Sequence, residues 1–343
     1  METLLHTYAP ETCHTPQLDH PPRALNFHRH AHDVSGWVAA VREKFLELLG
    51  LMPERVDPHL RVEFEADHGS YIERRLIFTA EAGADVPCHL LLPKADGPVP
   101  LVICLQGHST GMHISLGRPK YPGDETTIAG GRDFALQAVR EGYAALALEQ
   151  RCFGERGDQR AAEARHLQST CHHASMVSLL LGRTMIGERV WDIARAVDAL
   201  AACPELDLRR IGCMGNSGGG TATYYAACYE PRITAAMPSC YVCTFRHSIG
   251  RIDHCQDNYL PGALRYLEMA DFAGLIAPRP LVVVAGRDDP IFPLAGVEEA
   301  FADIQAIYAA VGAPDRCQLI VGDGGHRFYP EDGWPAFRAL TGW

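Results

Sequence analysis

Apolar residues recur along this chain at two spacings, and the change from one to the other organises it. Residues 60–65, 71–78 and 86–92 alternate between apolar and polar positions, with Asp67-His68-Gly69-Ser70 and Glu81-Ala82-Gly83-Ala84-Asp85 between them. That pattern predicts three strands joined by antiparallel turns. Upstream, Val34, Trp37, Val38, Val41, Phe45, Leu48 and Leu49 fall at helical spacing, predicting an amphipathic helix over 34–51 whose stripe meets a core or a partner subunit. The residues before it carry many His and Pro and little regular pattern. The continuous apolar run at 101–105 suits a central parallel strand.

Beyond that run the spacing alternates. Helices are predicted at 133–141, 188–202, 220–227, 297–311 and 335–340, and strands at 143–148, 211–214, 233–237, 281–285 and 317–321. Such alternation implies an α/β fold, a mostly parallel central sheet with helices on both faces. Two stretches, 149–187 and 238–263, interrupt it at the carboxyl ends of strands, where open parallel sheets bind ligands. They are expected to form the wall and lid of a pocket. The chain reads as an N-terminal helical extension, 1–58, and one catalytic domain, 59–343, without internal repeat or clear linker.

Composition narrows the class without naming a substrate. Of 343 residues, 47% are hydrophobic and 21% charged, which suits a globular protein with a sizeable core. Asp plus Glu, at 42, exceed Lys plus Arg, at 31, for a net charge of -11. That argues against a nucleic-acid partner and against anionic membranes. No stretch approaches the roughly 20 apolar residues of a membrane span, and the first residues lack a signal-peptide pattern. The 12 cysteines are scattered singly, as expected of reduced thiols in a cytoplasmic protein.

The chemistry centres on Gly215-Asn216-Ser217-Gly218-Gly219, a Gly-x-Ser-x-Gly between a predicted strand and a predicted helix. This is the nucleophile-elbow arrangement, which lifts a serine hydroxyl above the sheet. A serine needs a base, and the base an orienting acid. After the strand at 281–285 come Asp288 and Asp289; after the strand at 317–321 comes Gly324-Gly325-His326. The order Ser, Asp, His fits this topology. Ser217 is assigned as nucleophile, His326 as general base and Asp289 as its orienting acid, preferred to Asp288 because it directly precedes Pro290. Asp323 is read as a turn residue. The oxyanion hole is assigned to the backbone N–H groups of Gly218 and His108, with Ser109 as second choice for the latter. Gln106, Ser109 and Asn216 are the candidate substrate contacts, although Gln106 also fits a brace for its loop, and the ring of His108 suits a structural hydrogen bond as well as a substrate contact. His113 is a weaker candidate.

These residues resemble the α/β-hydrolase superfamily, and most closely its acetyl xylan esterase and dienelactone hydrolase-like branch. The likeness rests on Leu105-Gln106-Gly107-His108, Glu149-Gln150-Arg151-Cys152-Phe153-Gly154-Glu155-Arg156, the elbow, Ala277-Pro278-Arg279-Pro280-Leu281 with Asp289, and Gly324-Gly325-His326, over about residues 60–343. Dienelactone hydrolases use a cysteine where Ser217 stands, and many relatives carry His-Gly in place of Gln106-Gly107. The resemblance implies hydrolysis of small carboxylic esters, often acetyl or short acyl, with no cofactor. The extension would then cap the pocket or serve a homo-oligomer contact.

Two other readings compete: an amidase or peptidase of the prolyl-oligopeptidase-like kind, and a catalytically silent binding protein of the same fold. The chain lacks room for the propeller common in the first, and no triad member is missing as the second would favour. No metal site is expected. Cys240, Cys243, His247, His254 and Cys255 raise a metal question, but Cys240-x-x-Cys243 is only half a zinc motif and lacks a properly spaced second half, since His254 and Cys255 are adjacent. Cys171-His172-His173 is equally incomplete, and His28, His30 and His32 read as solvated or capping.

Overall fold

The computed structural model describes residues 8–157 and 170–343. Helix α1 (Glu11–Asp19) buries none of its residues, so it left no apolar period in a stretch read as irregular. Helix α2 (Val34–Leu49) is the predicted amphipathic helix. The Asp33 carboxylate caps it by accepting the Gly36 N–H at 3.0 Å, and Gly50, at φ 82°, ends it. Its stripe is spent inside the molecule. Trp37, Val41, Phe45 and Leu49 are buried, and the Phe45 ring lies 5.7 Å from Tyr225 and 5.5 Å from Phe272. The helix is a wall of the core.

The three alternating segments form β1 (Arg61–Asp67), β2 (Tyr71–Glu81) and β3 (Ala84–Pro93), paired antiparallel in succession. Then follow β4 (Val99–Leu105), α3 (Phe134–Arg140), β5 (Ala144–Leu148), α4 (Cys171–Leu180), α5 (Met185–Ala199), β6 (Leu206–Asn216) and α6 (Gly218–Tyr229). The chain closes with β7 (Ala235–Ser239), β8 (Leu281–Gly286), α7 (Leu294–Ala310), β9 (Cys317–Gly322) and α8 (Pro330–Thr341). One nine-stranded sheet results, in the order β1-β2-β3-β5-β4-β6-β7-β8-β9. Strands β5, β4, β6, β7, β8 and β9 run parallel, and β3 joins β5 antiparallel.

Successive strand residues feed opposite faces. Leu101, Ile103 and Leu105 pack with α2, α5, α6 and α7, whereas Val102 and Cys104 pack with α3 and α8. Two elements depart from expectation. Helix α8 starts at Pro330, five residues before the predicted start, and carries Pro335 inside it. Helix α4 lies within the stretch read as irregular: it buries Cys171, Ser175 and Ser178, a small polar face that gives no hydrophobic period. The rest of that predicted lid, 158–169, lies outside the described residues.

Buried charges fasten the insertions to the sheet. Arg151 meets Glu81 at 2.7 Å, Glu188 at 2.8 Å and Asp192 at 2.8 Å, and Arg156 meets the other Asp192 oxygen at 2.6 Å. Arg279 donates to the carbonyls of Ala227, Ile233 and Leu275, closing the carboxyl end of α6.

Candidate active site

Strand β6 runs directly into the elbow. Ser217 sits at φ 59°, ψ -125°, a region costly for a residue with a side chain. The turn closes against β4 with no room to spare: a Cβ on Gly215 or Gly219 would stand 2.6 or 2.1 Å from the Leu105 carbonyl oxygen. One on Gly107 would stand 2.5 Å from the Asn216 carbonyl oxygen. The Ser217 N–H donates to Ser239 O at 2.9 Å, anchoring the turn to β7. Ser217 itself is partly exposed between buried Asn216 and buried Gly218. It precedes the first turn of α6, where N–H groups lack intrahelical acceptors and the helix dipole is positive.

The loop after β8 supplies the acid. Asp289 is buried; its Oδ1 accepts the Ile291 N–H at 2.8 Å and the Phe292 N–H at 3.2 Å, and its Oδ2 lies 2.7 Å from His326 Nδ1. Burial pushes its pKa up, but the hydrogen bond and charge of His326 and the two backbone donors outweigh that and hold it below the usual carboxylate value. Asp288, next to it, is exposed, and Asp323 is an exposed partner of Arg287 at 3.0 Å. His326 stacks on Phe292 with ring centres 5.8 Å apart. Its Nδ1 is taken by Asp289, which leaves Nε2 free for proton traffic. Among the described residues Ser217 Oγ makes no hydrogen bond to it.

The loop after β4 faces the elbow. A Cβ on Gly218 would come within 3.1 Å of His108 Nδ1. On its other side the His108 ring puts Nε2 3.1 Å from Asp257 Oδ2. Burial alone would lower the imidazole pKa, but the Asp257 charge overrides it and raises it to about 9. Ser109 is partly exposed, with its Oγ accepting the Gly111 N–H at 3.4 Å.

Two expected substrate contacts are braces instead. Gln106 is buried, and its Nε2 donates to Ser115 Oγ and to Arg132 O, each at 2.6 Å, so it has no donor left for a ligand. Asn216 is fully buried under the elbow, where its Oδ1 accepts the Ser239 hydroxyl at 2.8 Å. His113 is likewise internal, with Nε2 2.8 Å from Asp124.

Sequence reasoning missed Phe292 and Asp257 and took Cys240 only as half a zinc motif. Cys240, at φ 48°, has its Sγ within 4.8 Å of the ligating atoms of Asp289 and His326. Burial raises its pKa to about 12, so it stays a thiol and does not compete with Ser217 as nucleophile. Cys243 turns elsewhere, toward Pro293 O at 3.8 Å, so Cys240-x-x-Cys243 does not converge. Of the early histidines, His28 pairs with Asp303 at 2.7 Å and His30 with Ala24 O at 2.9 Å.

Comparison with known proteins agrees with this architecture. YtaP of Bacillus subtilis (strain 168), assigned as a hydrolase, is 25% identical over 300 residues, covering 83% of this chain and 92% of that one. The 4-O-methyl-glucuronoyl methylesterase of Phanerochaete carnosa is 24% identical over 223 residues, covering 57% of this chain and 53% of that enzyme. Among solved structures, a Bacteroides fragilis protein assigned as an acetyl xylan esterase superposes with a TM-score of 0.77 at 17% identity, over 98% of this chain and 90% of its own. The acetyl xylan esterase (AXE1) family profile matches residues 53–274. The chain therefore belongs to the acetyl xylan esterase family and is a carboxylic ester hydrolase of α/β-hydrolase fold.

Proposed function

We propose that this protein removes acetyl or other short acyl groups from carbohydrate or related small-molecule esters through an acyl-enzyme on Ser217. The observation that carries the reading is the pairing of His326 with buried Asp289 at 2.7 Å, on loops that follow β8 and β9 in the same sheet whose strand β6 ends in a strained serine. Ser217 Oγ attacks the ester carbonyl carbon while its proton passes to His326 Nε2. The tetrahedral oxyanion is held by the N–H groups of Gly218 and His108. Collapse breaks the bond to the alkoxy group, which leaves as the alcohol with the proton from His326. Water then attacks the acyl-enzyme by the same route and returns Ser217. Asp289 keeps the Nδ1–H tautomer and stabilises the imidazolium. The missing Ser217–His326 hydrogen bond is the link this reading adds; such bonds commonly tighten only with substrate in place.

Acetyl chemistry is favoured by the family to which the chain belongs. Twelve unpaired thiols suit a reducing compartment, so a cytoplasmic, sugar-sized ester is a better fit than a polymer. Among the described residues no helix is long and apolar enough to cross a membrane. The test is hydrolysis of p-nitrophenyl acetate and acetylated sugars, with methyl uronates and anilides as comparison substrates. Parent protein is expected to cleave acetyl esters and to label with a fluorophosphonate, and Ser217→Ala to do neither. Equal labelling of Ser217→Ala would sink the proposal.

A further inference from the structure

The chain carries a second cluster of chemically active side chains, which includes His108 of the oxyanion loop but neither Asp289 nor His326. It joins three segments that are distant in sequence: His108 from the loop after β4, Cys171 from the first turn of α4, and Cys255 and Asp257 from the stretch after β7. One ligating atom from each, a ring nitrogen, two sulfurs and a carboxylate oxygen, lies within 4.8 Å of all the others. We propose that these four side chains form a binding site for a tetrahedral soft divalent cation of the zinc class, which staples the two insertions to the oxyanion loop. The proposal is independent of the ester-hydrolysis reading.

The donor set is the first argument. Two sulfurs, one imidazole and one carboxylate are zinc-type ligands, and neither calcium nor magnesium would choose them. Zinc bonds of about 2.0 to 2.3 Å put ligand atoms about 3.5 Å apart, so from a spread of at most 4.8 Å the cluster needs to contract by no more than about 1.3 Å. Burial is the second argument. Cys171 and Asp257 are each 1% exposed. Asp257 Oδ2 is ion-paired, 3.1 Å from His108 Nε2 and 2.7 Å from Arg189 Nη1, but neither N–H points along the line to it, so lone-pair capacity on this buried oxygen stays open to a cation.

Charge is the third argument. Arg189 is buried, holds Asp257 and reaches Cys171 Sγ at 3.5 Å. Two thiolates, one carboxylate, one guanidinium and one divalent cation sum to zero with His108 neutral, so the arginine balances the site where a second free cation would repel. The cation on the Asp257 side of His108 would occupy Nε2, and Nδ1, which faces Gly218, would then carry the ring proton. The metal would thereby fix the ring beside the nucleophile and act as a positioning element. The sequence offers Cys171 and Cys255 only as separate, incomplete motifs, because the ligands lie on three segments distant in the chain, with no Cys-x-x-Cys pair among them.

The experiment loads reduced, chelator-treated full-length protein with zinc or cobalt. One equivalent of zinc is expected to resist gel filtration. Cobalt should give thiolate-to-metal charge-transfer absorption that is lost in Cys171→Ser and Cys255→Ser. X-ray absorption at the zinc edge of the unmutated protein, which does not depend on a variant folding, should report two sulfur neighbours at about 2.3 Å. A shell of nitrogen and oxygen only, no retained zinc, or a cobalt–thiolate band unchanged in both variants would each overturn the proposal.

Discussion

Replacing Asp289 with Asn tests the proposed acid with little disturbance to the fold. Asn keeps the size of Asp and an oxygen to accept the Ile291 and Phe292 N–H groups that now meet Oδ1 at 2.8 and 3.2 Å. With that oxygen committed, its NH2 group must face His326 Nδ1, which Oδ2 now meets at 2.7 Å. An amide donor there requires Nδ1 to accept, which moves the ring proton to Nε2. His326 then presents a donor to Ser217 where a base is needed. Holding the wrong tautomer in a serine triad lowers kcat by about ten-thousandfold. That is about 5 kcal/mol of transition-state stabilisation. KM should stay within a few-fold, because Asp289 is buried behind His326 Nδ1 and its carboxylate oxygens are taken by that ring and by the Ile291 and Phe292 N–H groups. Asp288, exposed and not the partner of His326 Nδ1, supplies the control: Asp288→Asn should keep kcat within twofold. Steady-state hydrolysis of p-nitrophenyl acetate by both variants, with melting curves to verify folding, decides the matter. The tautomer argument fails if folded Asp289→Asn keeps a tenth or more of the parent's kcat, or if Asp288→Asn loses more than it does.

Two predictions concern stability. Glu149 is buried with its pKa raised by that burial to about 7, partly offset by the backbone donors of Glu155 and Met112. A raised folded-state pKa stabilises fully below the unfolded value near 4.5, and that advantage is lost as pH rises through about 7, at a total of about 3 kcal/mol. Glu149→Gln should therefore flatten the fall in denaturant midpoint between pH 5 and 7, with a residual slope from Glu268 and Asp271, whose pKa values burial also raises; superimposable profiles would refute this. Asp192→Ala leaves Arg151 and Arg156 without their shared partner and should cost about 3–5 kcal/mol in urea unfolding, whereas a loss below about 1 kcal/mol would show the clamp to be idle.

What the sequence made legible was whatever repeats or must be small. The strands around the elbow announced themselves because a buried parallel strand leaves a run such as 101–105, and the elbow did so because Leu105 O excludes any side chain at Gly215 and Gly219. The order of Ser217, Asp289 and His326 followed from where strands end. Illegible were features that need a third dimension. Gln106 and Asn216 stand beside reactive residues in sequence, but their side chains turn inward to Ser115 and Ser239. Helix α4 escaped notice because the face it buries is Cys171, Ser175 and Ser178. The stretch from Glu149 to Arg156 pointed to a family without stating its purpose, and in three dimensions Arg151 and Arg156 grip one aspartate while Glu149 holds the Met112 N–H.

Helix α2 separates two meanings of a boundary. The family profile begins at residue 53, downstream of the helix, so that match taken alone would allow the chain to be trimmed there. Packing forbids it. Gly274 is small because the Trp37 ring lies against it, leaving 2.4 Å to where a Cβ would be, and Phe45 fills the space between Tyr225 and Phe272. A chain starting at residue 53 would present those aromatic surfaces to water and invite aggregation. The stretch that the family profile matches is thus shorter than the unit that folds, and a truncation library or a fusion partner should join upstream of Phe27, the first core residue among the described residues.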